Sequence, residues 1–332
     1  MEPREIVRRT LEFDAPPRVP RQLWLLPWAS IHYPNELAAI RARFPDDIIH
    51  APSFCRTPVP HSGDPHVIGA YTDEWGCTFE NIQAGVIGEI KAPLVADWSD
   101  LDKVRPPIEA LTVDVERVNA FCRGSDRFVL SGCCARPFER LQFLRGSENV
   151  YLDLGSRPPE LFELLGRIHD FYRKEMELWA QTDVDALNFM DDWGSQRALL
   201  ISPKQWRAIF KPMYREYIEI AHAAGKKAFM HSDGYIADII PDLIEIGLDA
   251  INSQVFCMDL EQLGAQFAGK ITFWGEVDRQ HLLSEATVPE VVAAVRRAKA
   301  ALWRDGGAIA QCEFGPGGKP ENVWAVYETW EE

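Results

Sequence analysis

The sequence predicts an α/β fold, a single (β/α)8 TIM-type barrel over residues 1–332, and three observations predict it. From about residue 112, short apolar β-prone runs alternate with amphipathic helical stretches, the pattern of parallel pairing. Strand-like runs near residues 20, 48, 129, 187, 228, 250, 272 and 309 supply the number of staves a closed barrel needs. Polar groups recur where these runs stop, at Asp191-Asp192, His231-Ser232-Asp233, Gly275-Glu276 and Gln311-Cys312-Glu313. Barrel enzymes keep their chemistry at such strand ends. An open doubly wound sheet is the competing architecture, but no G-x-G-x-x-G follows the first strand.

The elements follow in order. Residues 1–12 form a short amphipathic helix, and Arg18 to Leu26 a strand broken by Pro27. Ile48 to Ala51 is the second strand. Between Val67 and Ile90, glycines and turn residues punctuate short runs such as Cys77-Thr78-Phe79, which marks a hairpin excursion from the barrel. Pro106-Pro107 is a stiff connector. Helices follow at Val113–Cys122, Pro137–Arg145 and Glu160–Thr182, the last with Leu161, Leu164, Leu165, Ile168 and Phe171 at helical spacing. Ser202-Pro203 opens a helix to Ala224, with serine as cap and proline in the first turn. Further helices are expected over Ile236–Ile246, Leu260–Phe267, Pro289–Trp303 and Pro320–Trp330.

Composition narrows the class. The 332 residues are 46% hydrophobic and 26% charged, an ordinary globular balance. A formal net charge of -15 argues against nucleic acid as a partner. Seven cysteines, an odd number with no C-x-x-C pair, point to reduced thiols and a cytoplasmic location. The charged N-terminus is expected to be no signal segment, and no run is long and apolar enough to span a membrane.

The order Asp191-Asp192-Trp193-Gly194-Ser195-Gln196, Ser202-Pro203, His231-Ser232-Asp233-Gly234, Gly275-Glu276-Val277-Asp278 and Pro320-Glu321-Asn322-Val323 resembles the uroporphyrinogen decarboxylase superfamily. Leu144-Arg145-Gly146-Ser147-Glu148 and Thr72-Asp73-Glu74-Trp75-Gly76 extend the likeness over nearly the whole chain. The resemblance implies a single barrel acting on a small molecule. The superfamily holds the decarboxylase and zinc-dependent methyltransferases that exchange methyl groups with a corrinoid protein. Where the decarboxylase has an R-Q-A-G-R-type segment for substrate carboxylates, this chain reads Leu25-Leu26-Pro27-Trp28-Ala29-Ser30, without arginine. Bidentate arginine contacts are not easily replaced, so the methyltransferase branch is the nearer likeness. A metal-independent, aspartate-assisted decarboxylase and a catalytically inactive binding barrel are the alternatives.

Methyltransferases of this kind carry H-x-C-G and a later cysteine as zinc ligands. The matching positions here are His231, Asp233 and Cys312. A carboxylate replaces one thiolate, and zinc accepts N, S and O donors. The resemblance thus implies zinc as cofactor and a methylcobamide carried by a partner protein. Each residue also has a plainer use: Asp233 as cap of a helix starting near Tyr235, Cys312 as an inert buried thiol. Asp191, Asp192 and Glu276 are the expected catalytic carboxylates. Arg197 is a competing ion-pair partner for the aspartate pair, and Arg279 for Glu276. If a strand persists through Asp191 and Asp192, one faces inward and the other a neighbouring helix; both are expected within reach of the ligand, Asp191 foremost. Trp24, Trp193, Gln196 and Cys133 are the expected substrate-binding residues, in an aromatic-walled pocket. Exposed apolar patches would indicate a homodimer.

Overall fold

The computed structural model describes residues 1–332. Its strands are β1 (Arg21–Leu25), β2 (Ile48–His50), β3 (Gly69–Thr72), β4 (Thr78–Asn81), β5 (Glu89–Ile90), β6 (Phe128–Leu130), β7 (Ala186–Met190), β8 (Lys227–Ser232), β9 (Ala250–Ser253), β10 (Thr272–Trp274) and β11 (Ala308–Phe314). Eight of them form one parallel sheet in the order β1-β11-β10-β9-β8-β7-β6-β2. β1 and β2, the two ends of that order, meet and close the barrel. All eight expected staves are present, so the (β/α)8 expectation holds.

The seam between β1 and β2 is sealed differently from the other joints. Side chains just ahead of β2 cover the backbone donors of β1. Asp46 Oδ1 accepts from Leu23 N at 2.6 Å, and Asp47 Oδ2 from Arg21 N at 2.9 Å. Asp47 also takes two 2.6 Å hydrogen bonds from Arg18, which anchor the carboxylate.

Strand periodicity divides the apolar residues into two cores. Ile48, Phe128, Leu130, Ala186, Phe229, Ala250, Trp274 and Ile309 point inward and fill the barrel. Val7 and Leu11 of the helix Pro3–Leu11 join them, so this helix plugs the end where the strands begin. The larger core lies between strands and outer helices, and takes Leu161, Leu164, Leu165 and Ile168 from the long helix Pro159–Trp179. The filled lower half leaves the opposite, C-terminal rim as the place for a cavity. No helix is long and apolar enough to cross a membrane.

The hairpin excursion is an antiparallel sheet of β3, β4 and β5. Arg140 ties it to the barrel: its guanidinium pairs with Asp73 and Glu74 and lies 5.2 Å from the Trp75 ring.

Several boundaries differ from the sequence expectation. Two helices, Pro27–His32 and Pro34–Arg43, occupy the stretch after β1, each opened by proline, whose fixed φ suits a first turn. The helix expected from Ser202 to Ala224 is two, Pro203–Ile209 and Lys211–Ala223, because Pro212 cannot donate into a continuous ladder. Pro241 likewise leaves only Ile240–Glu245 of the helix expected over Ile236–Ile246. A further helix, Ser147–Ser156, follows Gly146.

Candidate functional site

A cavity of about 650 Å³ opens at the C-terminal ends of the strands, lined by Trp24, His50, Cys133, Met190, His231, Asp233, Trp274, Arg279 and Glu313 among others. The loops after β7 and β8 are zipped together above it: Asp191 N donates to His231 O, Trp193 N to Ser232 Oγ and Gly194 N to Asp233 O. This crossing needs glycine, since a Cβ on Gly234 would sit 2.1 Å from the Gly194 carbonyl oxygen. The zip sets Asp192 beside His231.

Three ligand-capable side chains converge there. One donor atom from each of Asp192, His231 and Asp233 lies within 4.8 Å of the others. His231 Nε2 is 3.4 Å from Asp192 Oδ1 and 3.6 Å from Asp233 Oδ1. The other ring nitrogen, Nδ1, is 2.6 Å from Asn252 Oδ1 on β9. Asn252 Nδ2 donates to the Trp274 carbonyl, which fixes its oxygen toward His231. Nδ1 is therefore the donor, and Nε2 faces the carboxylates. Trp24 covers the imidazole at a centroid distance of 5.2 Å.

Arg279 braces the far side. Its guanidinium pairs with Asp233, with Glu276 at 2.8 Å and with Glu313 at 3.7 Å. Burial pushes the Glu276 carboxyl up to about 7, against the pull of Arg279. Burial also opposes charge on His231, but Asp192, Asp233 and the Asn252 hydrogen bond outweigh it and lift its pKa to about 10. For Asp192, burial is outweighed by His231, and its carboxyl lies below the ordinary value.

The histidine shift has a testable sign. Its folded pKa, about 10, lies above the ordinary 6.5. The protonated ring thus stabilises the metal-free fold fully below pH 6.5, and that stabilisation is lost as pH rises through about 10. In chelator-treated protein, the Tm difference between wild type and His231→Gln should shrink from pH 6.5 to 10; a difference that grew would contradict this electrostatic arrangement.

The family model described as uroporphyrinogen decarboxylase (URO-D) matches residues 70–332. The chain belongs to the uroporphyrinogen decarboxylase family. Among solved structures, this URO-D chain is similar to a methyltransferase from Methanosarcina mazei, with a TM-score of 0.69 and 14% identity over 99% of this chain and 98% of that one. An endo-beta-1,4-xylanase from Gloeophyllum trabeum aligns with a TM-score of 0.46 and 12% identity, over 97% of this chain and 99% of that one. A B12-independent methionine synthase from Shewanella sp. W3-18-1 gives 0.44 and 13%, over 66% of this chain and 65% of that one. No curated protein matches the sequence.

The URO-D site does not gather every residue expected from sequence. His231, Asp233 and Asp192 come together, and Trp24 and Cys133 line the same cavity. Cys312 does not join them. β11 extends through Phe314, so alternation continues: Glu313 points into the cavity and Cys312 outward, its sulfur 3.5 Å from Tyr327 Oη on the helix Pro320–Glu331. Burial raises that thiol to about 12, which keeps it protonated.

Asp191 also turns outward, and it is fully buried. It accepts from Phe138 N at 3.0 Å, Glu139 N at 2.7 Å and Tyr214 Oη at 2.5 Å. It caps the helix Pro137–Arg145 from across the chain, and of the aspartate pair it is Asp192 that lies beside His231. Trp193 is a core residue, stacked on Phe138 at 4.1 Å with Nε1 bonded to Tyr214. Gln196 lies on the exposed loop, bonded to Gln280 and outside the main cavity. Glu276 is buried under Arg279 and does not line the cavity. Sequence reasoning missed Asn252 as the group that fixes His231; its signal was an amide ending an otherwise apolar strand.

Proposed function

We propose that this URO-D family chain transfers a methyl group between a small substrate and a methylcobamide carried by a partner protein, with zinc held by Asp192, His231 and Asp233. The convergence of one imidazole and two carboxylates where the loops after β7 and β8 meet the cavity carries the reading. The donor set fits a divalent cation that accepts nitrogen and oxygen ligands. The ligating histidine has its other nitrogen pinned by Asn252, the usual support of a metal-binding ring. Once bound, zinc would supply a Lewis acid for the methyl acceptor or the donor's heteroatom.

The chain's own groups account for the rest. Arg279 orients Asp233, and Glu276 and Glu313 hold Arg279 in place. Trp24 and Trp274 meet edge-on at 5.1 Å and wall the site with apolar surface, which excludes water from a transferring methyl group. Glu313, facing the same space, is the carboxylate placed to accept a proton from a substrate.

Cavity charge supports methyl transfer over decarboxylation of a polycarboxylate. Arg279 is the single guanidinium of the lining, and three carboxylates already engage it. Asp46, Asp233 and Glu313 face the same space and would repel a polyanion. The alignment with the methanogen methyltransferase over the full chain agrees with this reading.

The test is demethylation of methylcobalamin by a panel of thiols, followed by cobalamin absorbance. Zinc-loaded protein should accelerate it, and His231→Ala should not. Zinc-independent release of carbon dioxide from uroporphyrinogen would overturn the reading.

A further inference from the structure

A second chamber, of about 660 Å³, lies beside the barrel under the β3–β5 sheet. It shares Gly132, Cys133, Cys134 and Met190 with the first, so the two cavities lie on either side of one wall. Gly132 keeps that wall thin: a Cβ there would come within 2.6 Å of the Ala51 carbonyl oxygen and 2.7 Å of the Trp179 ring.

The chamber combines broad apolar walls with unspent hydrogen-bond donors. Trp75, Phe143, Phe171 and Trp179 present ring surface. Of its two guanidiniums, Arg140 is consumed by Asp73 and Glu74. Arg136 is not. Its nearest carboxylate oxygen, Glu139 Oε2, is 4.0 Å away, beyond hydrogen-bond range, and that oxygen is itself buried without a partner.

Two neutral donors accompany Arg136. Glu175 lines the chamber with no hydrogen bond or ion pair, and burial, helped by Glu74, pushes its carboxyl up to about 8. At neutral pH it carries a proton. The Tyr172 hydroxyl accepts from Arg140 at 3.4 Å, which leaves its own proton to give. A guanidinium, a carboxylic acid and a phenol aimed at one space select an anion, and the fork of a guanidinium suits a carboxylate.

We propose that this chamber binds the carboxylate-bearing end of a small molecule with an aromatic or similarly broad apolar body, with Arg136 as the anion contact. The ligand's far end abuts the shared wall of Gly132, Cys133, Cys134 and Met190, with the first cavity behind it. Nothing in this binding requires a metal or a methyl group, so its test is independent of the methyl-transfer reading.

Calorimetric titration of the full chain with 3-phenylpropionate and with 3-phenylpropan-1-ol, the uncharged analogue, decides it. Wild type should bind the acid at least ~10-fold more tightly than the alcohol, the worth of a charge-assisted contact. Arg136→Met should lose that preference while its alcohol affinity stays within about twofold and zinc binding is retained. No heat with the acid, equal affinity for both compounds in wild type, or an undiminished preference in Arg136→Met would each overturn the proposal. The wild-type comparison needs no variant and stands even if Arg136→Met fails to fold.

Discussion

Replacing Asp191 by alanine is expected to destabilise the protein by roughly 3–6 kcal/mol, because three buried donors lose their acceptor at once and each unsatisfied donor costs about 1–3 kcal/mol. The donors are Phe138 N, Glu139 N and Tyr214 Oη. The first two are the orphan amides of a helix whose own N-cap, Arg136, makes no side-chain cap bond. Asp191 thus caps a helix that starts more than fifty residues earlier in the chain. The loss should lower Tm by about 10 °C on the usual scaling. Asp191→Asn keeps one acceptor oxygen and should cost about half as much. Thermal unfolding of the two variants checks this; a shift of only a degree or two for the alanine variant would show that the loop re-satisfies these amides.

The second large effect concerns metal. Purified protein should hold about one zinc per chain. His231→Ala should abolish it, and Asp192→Ala or Asp233→Ala should weaken binding beyond the ~10–100-fold typical when only a supporting hydrogen bond is lost. Asn252→Ala, which removes such a support, should fall within that range. Cys312→Ala should leave the zinc content unchanged, because its thiol faces the helix Pro320–Glu331 and not the cavity. Elemental analysis and competition with a chromogenic chelator measure all five. Zinc lost in Cys312→Ala but kept in Asp192→Ala would reverse the ligand assignment.

These two predictions mark what sequence conveys and what it withholds. Strand existence and strand ends are local properties, written in apolar runs followed by polar residues, and all eight staves were legible. Side-chain direction at a strand's end depends on where pairing stops. β11 runs to Phe314 because β1 pairs with it through Leu25, and that extension turns Cys312 away while bringing in Glu313. The Asp191-Asp192 pair shows the same effect: opposite faces were foreseeable, but which residue faced inward was set by the zip to Ser232 and Asp233. Trp193 stacks on Phe138, a partner no local pattern names. Arg136 and Glu139 sit in an unremarkable helix start, and only folding places them on a chamber wall.

The joint between β1 and β2 gives the cylinder a direction in which to yield. Elsewhere neighbouring staves share a ladder, and separating them means breaking several amide bonds together. Here two carboxylates and a single backbone bond, Asp47 N to Arg21 O, do the fastening, and one of the carboxylates, Asp46, also faces the cavity, with burial raising its pKa to about 6. A bulky occupant pressing on Leu23 and Asp46 would meet a hinge-like stave held by replaceable acceptors. Because burial lifts the Asp46 carboxyl above the ordinary range, the folded joint favours the protonated acid, and mild acid relieves the cost of enclosing that charge while an oxygen still accepts from Leu23 N.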